Sequence, residues 1–228
     1  MDLSTQEMKL YASAFELCGI SFGYPTEMLA QVMASGEWAE AAKDIAGGLG
    51  IAEDFDLEAE ATDGKSGDVQ DALHRLRAEY TRLFIGAPKS LVPPYESLWI
   101  GDQDEETLLF VNPCALGMEA FAKHCGLKRA EGAAREPFDS VMIEMQLAEY
   151  LLACLSEEVD PTAVGIDPTI LPGGSFEAAL MELVNDHLRV WIPRFAEAVE
   201  GESHLSLYRY AARFMESVVE GIRTKLLE

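Results

Sequence analysis

Apolar positions recur at spacings of three and four along almost the whole chain, and that period predicts helices. Ser4 and Glu7 form a capping box that opens a first helix, with Leu10, Tyr11, Ala14, Phe15, Leu17 and Cys18 on its apolar face. Pro25 suits the first turn of a second helix, with Met28, Leu29, Val32 and Met33 turned inward. A third runs from Glu37 to the Gly47-Gly48 pair. A fourth covers 69–85, carries Val69, Leu73, Leu76, Tyr80, Leu83 and Phe84 on one stripe, and ends at Gly86. Asn112-Pro113 open the next, which stops at Gly126. Another begins at Glu136-Pro137 and runs to Leu155, and helices over 175–190, 192–200 and 204–227 complete the series. The last places Leu205, Tyr208, Ala212, Met215, Val219 and Ile222 on a core stripe.

Only Leu108–Val111 reads as extended. The expectation is therefore an all-α fold, a single helical-bundle domain over 1–228 with about nine to eleven helices. Two stretches interrupt the period. Residues 50–68 carry seven acids and the run Asp63-Gly64-Lys65-Ser66-Gly67, and read as a mobile acidic linker. Gly64-Lys65-Ser66 lacks the upstream glycine that a phosphate loop needs. Residues 159–174, with three prolines and three glycines, form a long connection. Such a connection permits helices to be exchanged between protomers, so the expected state is a monomer or a domain-swapped dimer.

Charge narrows the partners. Forty acids against 17 bases leave a net charge of −23, which repels nucleic-acid backbones and anionic membranes and favours a basic partner. The first residues, Met1 to Glu7, hold no basic segment of a secretory signal. The longest apolar run, Val141 to Leu155, is broken by Glu144, Gln146 and Glu149, too short and too charged to span a bilayer. A cytoplasmic location is expected. Cys18, Cys114, Cys125 and Cys154 form no C-x-x-C pair and suit a reducing compartment. Adjacent His124 and Cys125 with Cys114 make poor chelate geometry, so no metal is expected. Ser97 sits in no nucleophile elbow, and none of His74, His124, His187 and His204 joins it in a catalytic motif. No catalytic residue is assigned, and the chain reads as a non-enzyme.

Candidate binding residues concentrate in 80–99. Pro93-Pro94 fix extended backbone, Tyr95 and Trp99 offer flat amphipathic area, and Glu96 and Ser97 offer acceptors. Glu144 falls inside the apolar arc of its helix. A carboxylate there either ties two helices through a loop backbone or an arginine, or belongs to a binding cleft. Asp139 stands at the expected helix start, as a cap or as a contact for a basic ligand.

Two segments in this order resemble the TorD/DmsD family of maturation chaperones for twin-arginine-exported molybdoenzymes. One is Tyr80-x-x-Leu83-Phe84-Ile85-Gly86 followed by Pro93-Pro94-Tyr95-Glu96-Ser97; the other is Glu136-Pro137-Phe138-Asp139 followed by Glu144-Met145. Leu188-x-x-Trp191-Ile192-Pro193-x-Phe195 is similar too. The resemblance implies an all-helical, non-enzymatic protein that binds a client's signal peptide and its folding catalytic subunit before cofactor insertion and export. It associates Tyr80, Leu83, Phe84, Pro94, Tyr95 and Asp139 with leader binding, and Pro93, Glu96, Ser97, Trp99, Glu136, Ser140 and Glu144 lie in the same segments. Where the family commonly has histidine after the aspartate, this chain has Ser140, which removes a pairing with Glu144. Some members bind guanine nucleotide, but no phosphate-binding pattern accompanies that here, and no cofactor is expected. The alternatives are a small helical nucleotide-binding protein or enzyme, and an assembly factor that binds only the mature enzyme.

Overall fold

The computed structural model describes residues 3–51, 68–86, 88–100, 112–128, 136–161 and 168–227. Residues 52–67 of the acidic linker, the extended run Leu108–Val111 and residues 162–167 of the long connection lie outside the described residues. The fold is all-α. The described residues form α1 (Thr5–Phe22), α2 (Glu27–Ser35), α3 (Glu37–Leu49), α4 (Val69–Tyr80, continued by a π-helical turn, Thr81–Ile85), α5 (Pro113–His124) and α6 (Val141–Leu155). They are followed by α7, which joins Phe176–Glu182, a π-helical stretch Leu183–Leu188 and Arg189–Glu202, and by α8 (Ser206–Leu227). Extended pairing among the described residues is limited to one antiparallel bridge, Tyr95 with Ser140.

Local chemistry sets these ends. Ser4 and Glu7 close the expected capping box on α1. Asn112 caps α5, with Pro113 in its first turn. Pro25 lies one residue before the cap of α2, which is Thr26. The Gly47-Gly48 pair does not stop α3; the helix runs on to Leu49 and ends at Gly50, whose φ of 72° supplies the left-handed turn. Met28 is exposed rather than inward, because Leu29 and Ala30 take the buried face of α2.

The two helices expected at 175–190 and 192–200 are one. Pro193 sits inside α7 without breaking it. Its ring faces solvent, where water can take the carbonyl that loses its partner, and the π-helical stretch just before it widens the helix. This continuity brings the helix count among the described residues to eight, below the expected range.

α1 packs on α6, α8 and α3; α7 packs on α8; α2 packs on α4. The core they share is rich in rings: Phe15, Phe22, Trp191, Phe195, Tyr208 and Phe214 are sealed from water. Each such side chain contributes about 1.5–3 kcal/mol of burial free energy.

Candidate functional site

The site begins where α4 changes pitch. Gly86 donates its N–H to the Thr81 carbonyl at 2.7 Å, closing a five-residue turn. Its φ is 53°, and a Cβ there would lie 2.3 Å from the Lys89 carbonyl oxygen, so only glycine fits. The chain then doubles back, and Val92 donates to the Leu83 carbonyl at 2.9 Å. Leu83 and Phe84 are thereby buried, while Ile85 and Leu91 remain exposed.

The returning loop is clasped to the segment before α6. Val141 N–H donates to the Pro94 carbonyl at 3.0 Å and Glu96 N–H to the Asp139 carbonyl at 2.8 Å. The Asp139 carboxylate accepts from Ser97 N–H at 3.3 Å. Trp99 donates its indole N–H to the Pro93 carbonyl at 2.7 Å, and Asn112 donates to the Ser97 carbonyl at 2.9 Å. The helix expected from Glu136-Pro137 thus starts later, at Val141. Ser140 is its cap, accepting from Ile143 N–H, and Asp139 is not. Asp139 is spent on the loop backbone because residues 138–139 form a turn that points it there.

Beneath the clasp lie buried charges. Glu96 is 1 % exposed and holds His187 Nδ1 at 2.9 Å. Glu144 is 0 % exposed and accepts the Trp191 indole N–H at 2.9 Å on Oε2; no partner reaches Oε1 among the described residues. It does tie two helices, as one sequence reading required, but through an indole rather than an arginine. Burial, followed by the negative charge of Glu96 and then Asp139, holds the Glu144 carboxyl well above its ordinary range, against the pull of the Trp191 donor. The Cys114 thiol beside Glu96 is pushed up to about 12, first by burial and then by these carboxyls.

A path of rings links this interior to the surface. Trp191 meets Phe195 at 5.2 Å, Phe195 stacks on Phe84 at 6.1 Å, and Phe84 meets Tyr80 at 5.0 Å. Tyr80 meets Tyr24 edge-on at 5.4 Å, and the Arg77 guanidinium lies over the Tyr24 ring at 5.3 Å. Burial, then the Glu136 charge and the Tyr95 and Tyr24 hydroxyls, push the Tyr80 phenol up to about 12. The Tyr95 phenol is raised too, by burial and then by Glu136 and Asp139. Tyr24, Tyr80, Tyr95 and Glu136 therefore share one surface, and Tyr24 is 54 % exposed.

A clip behind Tyr80 fixes the π-helical turn. Buried Glu79 accepts Arg82 Nε at 2.9 Å and His204 N–H at 2.6 Å. Arg82 also donates to the Glu202 carbonyl. Burial would raise the Glu79 carboxyl, but Arg82 and the His204 N–H outweigh it and hold the group below its ordinary range.

The sequence candidates divide into two sets. Tyr80, Pro93, Tyr95, Trp99 and Glu136 are half-buried and reach the surface. Leu83, Phe84, Pro94, Glu96, Ser97, Asp139, Ser140 and Glu144 are buried and form the support beneath it. Glu96 and Ser97, expected to offer acceptors to a ligand, are instead turned inward, and His187 occupies the Glu96 carboxylate. Tyr24, Arg77, Glu79 and His187 escaped the sequence reading. The Glu96–His187 pair spans 91 residues and leaves no local pattern. The Tyr24–Tyr80 contact leaves none either, since helix periodicity says nothing about how a ring in the α1–α2 connection meets one on α4. Among the described residues, no group of three His, Cys, Asp or Glu side chains could hold a metal ion. No helix among them is long and apolar enough to cross a membrane.

This chain is similar to known proteins over most of its length. A model of the family described as nitrate reductase delta subunit matches residues 49–197. A chaperone protein TorD from Aliivibrio salmonicida is 24 % identical over 66 % of this chain and 64 % of its own. One from Photobacterium profundum is 27 % identical over 61 % of this chain and 58 % of its own. One from Aliivibrio fischeri is 27 % identical over 56 % and 53 %. The matched stretch thus spans between about half and just under two thirds of these relatives' length. The crystal structure of a redox enzyme maturation protein from Archaeoglobus fulgidus aligns over 96 % of both chains, with 21 % identity and a TM-score of 0.48.

Proposed function

The chain belongs to the nitrate reductase delta subunit family, whose TorD relatives are named chaperones and not enzymes, and from that premise we propose that it is a maturation chaperone for a molybdopterin oxidoreductase. Its client's basic, twin-arginine leader docks on the Tyr80–Tyr95–Trp99 surface, and the catalytic subunit is held until its cofactor is inserted, before export. The cytoplasm is where such a step takes place. The observation that carries this reading is the pair of half-buried rings, Tyr95 and Trp99, on a loop backbone that is fixed from below by Pro94, Glu96 and Asp139. A preorganised apolar surface with Glu136 at its side, in a chain of net charge −23, complements a segment that is cationic at one end and apolar beyond it. The negative charge steers the encounter and raises the on-rate, most strongly at low salt.

Isothermal titration with a synthetic twin-arginine leader tests the reading. Saturable binding that weakens with salt supports it. Absence of binding to the leaders of every candidate client overturns it. Deleting the leader from the client separates this role from that of an assembly factor: complex formation that survives the deletion undiminished assigns the contact to the mature enzyme.

A further inference from the structure

Glu96, Asp139 and Glu144 come from three separate segments, the returning loop, the turn before α6, and α6 itself, and converge in one buried place. All three are at least 97 % buried, since none exceeds 3 % exposure. His187 is the basic side chain that reaches them, and it meets Glu96 through both carboxylate oxygens, at 2.9 and 3.0 Å. One imidazole supplies at most one positive charge against three carboxyls. Neutral donors supply the rest: Ser97 N–H to Asp139, Trp191 N–H to Glu144, and the Cys114 thiol beside Glu96. Among the described residues, Glu144 Oε1 has no hydrogen-bond partner. A bare oxygen costs far less on a neutral carboxylic acid than on half of a carboxylate, so Glu144 is where a proton relieves the excess charge. On the opposite side of α6, α1 brings Glu16 beside Glu149, further along the helix.

We infer that Glu144 is a proton-operated latch: protonated, it lets the Glu96–Asp139–Glu144 cluster hold the 93–100 loop and the start of α6 against α7; ionised, it drives them apart. The elements it joins are the ones that shape the aromatic surface. Pro94 and Glu96 are clasped to Val141 and Asp139 by backbone bonds, and His187 and Trp191 anchor the cluster to α7. His187 lies in the π-helical stretch of α7, a local widening of the kind found where helices do functional work. The functional consequence rests on the leader-binding reading: client affinity would fall as pH rises. The latch itself does not depend on that reading.

Its test needs no client. Amide exchange of residues 93–100 and 136–145, corrected for the intrinsic pH dependence, is followed from about pH 5 to 9 in the wild type and in Glu144→Gln, which keeps the shape of the neutral acid. The latch predicts that wild-type protection of these segments falls roughly tenfold as pH rises while the variant stays flat. Should Glu144→Gln fail to fold, infrared spectroscopy of the wild type in D2O replaces it, read for a protonated-carboxyl band at pH 7 that disappears together with loop protection. Equal pH profiles in wild type and variant, or no such band at neutral pH, overturn the latch. Leader titration at constant pH reports separately on the chaperone reading, so either proposal can fail while the other stands.

Discussion

Trp191 donates its indole N–H to Glu144 at 2.9 Å in a place where both residues are fully sealed from water. The pair joins α6 to α7 and stands behind the surface formed by Tyr80 and Tyr95. Its energetics follow from what each partner leaves when the other is removed. Trp191→Phe strips from a buried carboxyl the only donor that reaches it among the described residues and is expected to cost about 2–4 kcal/mol of unfolding free energy. Glu144→Leu leaves an orphaned indole N–H but removes the desolvation of the acid, so its net effect is within about 1 kcal/mol of zero. The double replacement is then more stable than Trp191→Phe alone. Urea denaturation of the four proteins gives the coupling, and strictly additive losses would refute it.

Gly86→Ala is expected to destabilise by at least about 2 kcal/mol, because the new Cβ meets backbone that cannot swing aside. The Ala variant of Gly47, where a Cβ meets nothing within 4 Å, is the control and should gain a few tenths to about 1 kcal/mol within α3. Thermal unfolding of both variants checks the contrast.

Glu79 gives a prediction in the acid range. Its folded-state carboxyl is held below its ordinary value of 4.5, so it contributes stability that is present above that pH and is lost as pH falls through the lower folded value. Glu79→Gln should lower stability at pH 7 and flatten the acid limb of the stability profile below about pH 5. A variant with an unchanged acid limb would show that the Arg82 and His204 contacts do not favour the ionised form.

Tyr95→Ala should weaken leader binding at least about tenfold while lowering the unfolding midpoint by only a few degrees, since the ring is half-buried and its backbone is held by neighbours. Calorimetric titration and thermal unfolding on one preparation read the two effects. A collapse of stability would identify the ring as core.

The sequence carried the fold because helix periodicity is a local signal. Ser4, Asn112 and Gly86 marked their helix ends correctly, and Leu73, Leu76 and Leu83 faced the core as their spacing required. Local reasoning failed where two local signals competed. A break was expected between 190 and 192, but α7 runs through it, since a solvent-facing proline after a widened turn is tolerated. Pro137 looked like a first-turn residue, but Ser140 offered a better cap. The site was legible in part. Tyr80, Tyr95 and Asp139 were singled out through motifs, whereas the burial of Glu96 depended on His187 and the surface of Tyr80 depended on Tyr24. Those pairings join distant segments, and no spacing rule reaches across them.

The widened turn at Thr81–Ile85 has an evolutionary consequence. Its surplus of residues per turn makes the interval between Tyr80 and Gly86 a matter of phase as much as of length. Losing one codon there would regularise the helix and swing everything before it by about 100° relative to the loop. An aromatic ring that now reaches the surface would be carried around the barrel of the helix, so indels in this short interval redirect the Tyr80 face instead of merely trimming it.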